Sequence, residues 1–149
     1  LYRQQILALA KNVRDSALVA QPTHAAIISN PTCGDRVNMT LQAHHHKKHN
    51  LVITAAGAEV RGCALCEAGA GLFLNIATQL KITEVVRLRS AFTAWLAGDD
   101  DAAIHTRMEM FQPVRGIKGR HKCVTLAFDA APENGRINAS GTKSGSMPR

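Results

Sequence analysis

Aromatic side chains are scarce in this chain, with one Trp, one Tyr and four Phe among 149 residues. Acidic residues are scarce too: eleven stand against eighteen Lys and Arg, leaving a net charge of +7. That balance raises nucleic acid as a partner, but the cations form no block, and Arg136, Lys143 and Arg149 fall close to the C-terminus. With so few aromatics to stack on, nucleic acid is not expected. No apolar run approaches the roughly 20 residues needed to cross a bilayer, so no membrane partner is expected either. The apolar stretch at residues 6–10 is too short for a secretory leader, and Lys11 follows it. Only four cysteines occur, at positions 33, 63, 66 and 123. In a chain without a leader they read as reduced thiols, which predicts a cytoplasmic protein.

What is present suits one globular domain. Apolar residues make up 46% and charged residues 19% of the composition, enough to build a core without disulfide support. Tyr2, Ile6, Leu9 and Val13 share one helical face over residues 1–12. Residues 15–30 show no clear period and contain Pro22, which predicts an irregular connection. Val37, Met39 and Leu41 alternate with polar residues as in a half-buried strand. A polar turn at 44–50 leads to a second strand at 51–54, and Gly57 marks a bulge or turn before a short third strand at 59–61.

Beyond Gly62 the period becomes helical. Leu65, Gly69, Leu72, Ile76 and Leu80 line one face, and the small residues 68–71 allow close packing. Thr83 is the expected cap of the next helix, in which Val85, Leu88, Phe92 and Leu96 face inward and which Gly98 ends. Asp99, Asp100 and Asp101 suit the start of a short helix carrying Ile104 and Met108. A last helix is expected over 122–131, stopped by Pro132. The Gly, Ser, Asn and Pro beyond it predict a disordered tail at 132–149. Strands first and helices after imply an α+β fold, a small three-stranded antiparallel sheet packed against several helices.

Chemistry concentrates around the cysteines. In Asn30-Pro31-Thr32-Cys33-Gly34-Asp35, the glycine lets the backbone turn so that Cys33 and Asp35 reach one point. Cys63 and Cys123 both open predicted helices, Cys123 directly after Arg120-His121-Lys122. Thiols at helix N-termini beside cations are expected to have lowered pKa values. Each of these cysteines, taken alone, reads better as a small buried hydrophobe than as a ligand. Together, three thiols and a carboxylate supply four ligands, enough for a tetrahedral zinc or a small iron–sulfur cluster. They lie too far apart in sequence for a local zinc-finger pattern.

Four motifs in order resemble the IscU/SufU/NifU N-terminal family of iron–sulfur assembly proteins. They are Leu-Tyr-Arg-Gln-Gln-Ile-Leu at the start, Asn-Pro-Thr-Cys-Gly-Asp at 30–35, Gly-Cys-Ala at 62–64, and Arg-His-Lys-Cys-Val-Thr-Leu-Ala at 120–127. The resemblance implies an assembly domain over 1–131 in which Cys33, Asp35, Cys63 and Cys123 converge on a metal or nascent cluster. The likeness leans to the SufU branch: the segment between Cys63 and Cys123 has room for a helical insertion at about 83–110. Lys122 also stands where IscU-type members carry a histidine.

The implied function is acceptance of persulfide sulfur from a cysteine desulfurase, with Cys33 the expected acceptor because its turn is mobile and exposed. Zinc or a [2Fe-2S] cluster is the implied cofactor, and apo iron–sulfur proteins are the implied recipients. Arg120 and Lys122, with Arg36 and Arg61, adjoin the ligands and offset their negative charge. Two alternatives stand beside this reading: a zinc-dependent sulfurtransferase that builds no cluster itself, and a purely structural zinc-binding interaction domain. Cys66 forms a Cys-x-x-Cys pair with Cys63 but lacks a thioredoxin-like context, and is expected to pack. The histidines at 44, 45, 46 and 49 read as a solvated turn, His121 as a flank of the site, and His24 and His105 as isolated.

Overall fold

The structure, a computed structural model, describes residues 2–47 and 50–132. Helix α1 (Tyr2–Arg14) is followed by β1 (His24–Ser29), β2 (Arg36–His45) and β3 (Leu51–Arg61), then by α2 (Ala64–Ala77) and α3 (Ile82–Leu96). A 3-10 segment, Thr106–Val114, and a short 3-10 turn, Lys118–Arg120, lead into α4 (His121–Asp129). The strands form one antiparallel sheet in the order β1-β2-β3. The α+β class and the three strands match the sequence-based expectation, but the strands are drawn differently.

β1 lies where an irregular connection was expected. Its inward positions are His24, Ala26 and Ile28, and its outward positions include Ala25 and Ile27. Alanine on both faces and a histidine turned inward blur the alternation that marks a strand. The buried His24 ring meets the Ala130 carbonyl at 3.0 Å. The predicted second and third strands are one, β3, which pairs with β2 from His45↔Leu51 to Arg36↔Arg61. The register shift falls at Gln42/Ala43 rather than at Gly57. Gly57 serves close approach instead: the loop after α1 crosses the outer sheet face there, and a Cβ at Gly57 would run into the Ala17 carbonyl. The Val19 N–H donates to Thr40 Oγ1 at 2.9 Å and fastens that loop.

α2 is buried almost all round, because α1, α4 and β3 each pack against it. Its small residues make this close packing feasible, since a Cβ on Gly69 or Gly71 would meet the backbone carbonyl of Val124 or Leu9. α3 begins two residues earlier than expected. Lys81 rather than Thr83 caps it, and the Glu84 carboxylate accepts the Lys81 N–H at 2.9 Å. The three aspartates at 99–101 do not open the next element, whose cap is His105 Nδ1 accepting the Arg107 N–H at 3.1 Å.

Nearly all the scarce aromatics meet in one cluster. Phe92 lies 5.6 Å from Phe128, 5.8 Å from Phe111 and 6.3 Å from Trp95, centroid to centroid, and Phe73 is 5.1 Å from Phe128. The Phe pairs meet edge to face and Trp95 stacks on Phe92, and aromatic contacts of these two kinds add about 0.5–1.5 kcal/mol each beyond their burial. Leu72, Ile76, Phe92 and Phe128 are buried as expected, while Leu88 is half-buried against them. Pro132 is buried, and the tail expected beyond it lies outside the described residues, as does His49. No helix among the described residues is long and apolar enough to cross a membrane.

Candidate metal centre

Three connections end at one corner of the sheet, and each carries a side chain that the sequence singles out. The β1–β2 loop carries Cys33 and Asp35, the β3–α2 junction carries Cys63, and the first turn of α4 carries Cys123. The loop is knitted shut. Asn30 N–H donates to the Asp35 carbonyl at 2.8 Å, Gly34 N–H to the Asn30 carbonyl at 2.8 Å, and Thr32 N–H to Asn30 Oδ1 at 3.1 Å. Gly34 turns it with a φ of 77°, a conformation that glycine adopts without steric cost. Cys33 is therefore exposed, as expected, but on a closed turn rather than a loose one.

Asp35 is buried at 4% exposure, and its carboxylate is tied to the neighbouring helix. The Cys63 N–H donates to its Oδ1 at 3.2 Å, and the Cys63 thiol donates to its Oδ2 at 3.8 Å. Sequence reasoning missed what makes room for this: Gly62 stands opposite Asp35, and a Cβ there would lie 2.5 Å from Oδ1. The role of Asn30 in closing the loop was missed too, though an Asn before a Pro-containing turn is a recognisable loop signal.

The ligand atoms of Cys33, Asp35 and Cys123 all lie within 4.8 Å of one another. Cys33 Sγ and Cys123 Sγ are 3.8 Å apart. Two thiolates on a tetrahedral zinc, each about 2.3 Å from the ion, stand about 3.8 Å apart. A carboxylate oxygen and a thiolate would stand about 3.5 Å apart on the same ion, close to the Cys63–Asp35 separation. The donor set fits such a centre. Cys63 stands beside it through Asp35, outside the tight trio.

The electrostatics run opposite to one expectation. Cys123 occupies a helix N-terminus, yet its thiol is pushed up, first by burial and then by its hydrogen bond to Asp35 and the charges of Cys63 and Asp35. Crowding of acidic groups outweighs the dipole of a nine-residue helix. Cys66 is pushed up as well, by burial first and then by Asp35, Cys63, Cys123 and Cys33. A divalent cation among these groups would reverse the balance and favour the thiolates.

Arg120 answers this acidity. Its exposed guanidinium is held more firmly protonated, first by hydrogen bonding to Cys123 and then by the charges of Cys63 and Cys123. Lys122 is directed elsewhere: its Nζ lies 3.4 Å from Asp129 Oδ2, at the other end of α4. His121 also turns away, with Nε2 3.0 Å from the carbonyls of Val114 and Arg115. His44, His45 and His46 are exposed at the far hairpin.

No family model matches the chain. It is 29% identical over 132 residues to the zinc-dependent sulfurtransferase SufU of Bacillus subtilis, covering 87% of this chain and 86% of that one. It is 24% identical over 111 residues to the iron–sulfur cluster assembly scaffold protein IscU of Streptococcus pyogenes, covering 73% and 67%. The structure resembles the N-terminal part of a nitrogen-fixing NifU-like protein from Brucella abortus, with a TM-score of 0.71, 27% identity, and 87% and 88% coverage. A SUF-system protein from Fervidobacterium islandicum, described as a cluster assembly scaffold, shares the fold at a TM-score of 0.74, 17% identity, and 86% and 91% coverage. Together with the converging Cys, Asp and Cys, these likenesses make the chain similar to the IscU/SufU/NifU-like proteins, leaning to their SufU side.

Proposed function

We propose that this protein is an iron–sulfur assembly protein that accepts persulfide sulfur from a cysteine desulfurase and holds a metal or nascent cluster on Cys33, Asp35, Cys63 and Cys123. The observation that carries this reading is the packing of two thiols and a carboxylate within 4.8 Å at the end of the sheet, with one thiol exposed. A purely structural zinc site would hold four protein ligands permanently, whereas here three candidate donors group within 4.8 Å and one of them, Cys33, faces solvent. Zinc or a [2Fe-2S] cluster suits this donor set, and either supplies the positive charge that keeps the buried thiols as thiolates. The assembly domain spans 1–131, with α3 and the chain after it forming the insertion at about 83–110. Four unpaired thiols suit work in the reducing cytoplasm, and apo iron–sulfur proteins are the recipients.

Cys33 is the acceptor. Its thiolate attacks the outer sulfur of the desulfurase's cysteine persulfide. A new S–S bond forms on Cys33, the donor's S–S bond breaks, and the donor cysteine leaves as a thiolate. Oxidation state is conserved overall, so no further reductant enters this step. Arg120 stabilises negative charge on the nearby sulfurs. The test is desulfurase turnover with and without the metal-loaded chain. Stimulation is expected, and Cys33→Ser should abolish it while the fold persists. Stimulation that survives Cys33→Ser would remove Cys33 from the acceptor role.

A further inference from the structure

Arg36 and Arg61 are register partners at the last position of the β2–β3 ladder. Like charges set directly opposite on one sheet face repel, and the sheet gains nothing from them. Three arginines have carboxylate partners: Arg14 meets Glu67, Arg89 meets Asp129, and Arg115 meets Asp100. Among the described residues, Arg36 and Arg61 have no carboxylate within 4.0 Å. Both are exposed, and both border a hollow of about 290 Å³ on the outer sheet face, lined also by Ile27, Asn38 and Glu59. Two guanidinium groups against one carboxylate leave the hollow positive.

Its position ties it to the metal centre. Arg36 follows Asp35 directly, and Arg61 precedes Gly62 and Cys63. Side chains alternate along a strand, so Asp35 points toward the thiols while Arg36 points to the outer face at the same strand end. Arg36 stands three residues along the chain from the exposed Cys33.

We propose that Arg36 and Arg61 form a docking grip for an acidic segment of the sulfur-donating partner, an inference that rests on the sulfur-accepting reading above. One or two Asp or Glu carboxylates enter the hollow and relieve the repulsion between the arginines, which orients the partner over Cys33. Exposed charge pairs of this kind act mostly on encounter and are weakened by salt.

The test measures stimulation of the cysteine desulfurase against increasing concentrations of the zinc-loaded full chain, at low and at high NaCl. In R36E/R61E, the half-saturating concentration should rise at least tenfold at low salt, with the rate at saturation retained. The salt dependence seen in the wild type should be lost, and R36K/R61K should keep most of the wild-type response. Equal zinc content and melting temperature in all variants exclude a folding effect. An unchanged half-saturation and salt response in R36E/R61E overturns the grip alone. Absence of stimulation by the wild type overturns the sulfur-accepting reading and the grip with it. Tight binding of a 20-nucleotide RNA that R36E/R61E loses, with desulfurase response unchanged, assigns the hollow to nucleic acid and overturns it too.

Discussion

Gly62 faces Asp35 so closely that one added methyl group would sit 2.5 Å from Oδ1 and 2.8 Å from Cγ of the carboxylate. The carboxylate cannot yield freely, because Oδ1 also receives the N–H of Cys63 at the start of α2. Gly62→Ala must therefore displace Asp35 from both the helix and the thiols. Overpacking together with a strained hydrogen bond should cost about 1–3 kcal/mol of stability. Zinc affinity should fall in parallel, measured by competition with a chromophoric chelator. Gly116→Ala is the control: no atom lies within 4 Å of its added Cβ, so its melting curve and zinc affinity should match the wild type.

Asp129 is the anchor at the other end of α4. Its carboxylate is buried at 3% exposure, with Arg89 Nε at 2.8 Å and Lys122 Nζ at 3.4 Å. Removing the charge leaves two cations facing a neutral amide, partly compensated by water because Arg89 and Lys122 are themselves 26% and 49% exposed. Asp129→Asn should lose about 2 kcal/mol, below the range for a fully buried pair. Urea denaturation should show an earlier midpoint with an unchanged slope.

The helical half of the molecule was largely legible in the sequence, because apolar residues such as Leu72, Ile76, Phe92 and Leu96 recur at helical spacing and are buried as that spacing requires. The sheet was less so. β1 hides its alternation behind alanines on both faces and His24 in the core, and its signal is the tertiary contact to Ala130 rather than a local pattern. Gly57 looked like punctuation but answers a contact with Ala17, forty residues away in sequence, that no local window contains. At the site, the residues that converge were named from four motifs. Their electrostatics were not: the basic residues before Cys123 suggested a low thiol pKa, whereas burial and Asp35 drive it upward, and Lys122 spends its charge on Asp129.

The raised thiols set a pH dependence whose sign depends on metal. Cys66 and Cys123 bind their protons more tightly folded than unfolded, since both are pushed above the ordinary thiol value of 9.0. Without metal, the folded chain holds more protons than the unfolded one as pH climbs past that value. Stability is then full below pH 9 and declines as pH rises. With zinc bound, ligand thiols have already lost their protons, and binding tightens with rising pH. Chelation should lower the melting temperature at neutral pH without unfolding the chain, because the Phe73–Phe92–Phe111–Phe128 cluster involves no ligand. Urea denaturation from pH 7 to pH 10 should show chelated protein losing stability more steeply than zinc-loaded protein. Parallel curves would mean that the thiols are not protonated as their surroundings require.

Asp35 is expected to act as an exchangeable ligand. A carboxylate binds zinc less tenaciously than a thiolate or an imidazole would, and here it is the one oxygen donor among sulfurs. Its Oδ1 already accepts the Cys63 backbone N–H at 3.2 Å, so the group keeps a partner when it leaves a metal. That arrangement suits a position that opens for an incoming sulfur and closes again. Asp35→Ala should keep metal on the three cysteines, with water or an added thiol in the fourth position, and should lose most of the sulfur transfer. It should also unfasten the start of α2, since the Cys63 N–H loses its acceptor, at a cost of about 1 kcal/mol. Asp35→Asn separates the two effects, because its carbonyl oxygen still accepts from Cys63 while its charge is gone. Metal content, melting temperature and transfer rate measured on both variants decide the matter. Normal transfer by a metal-loaded Asp35→Ala would show that the carboxylate anchors the helix and gates nothing.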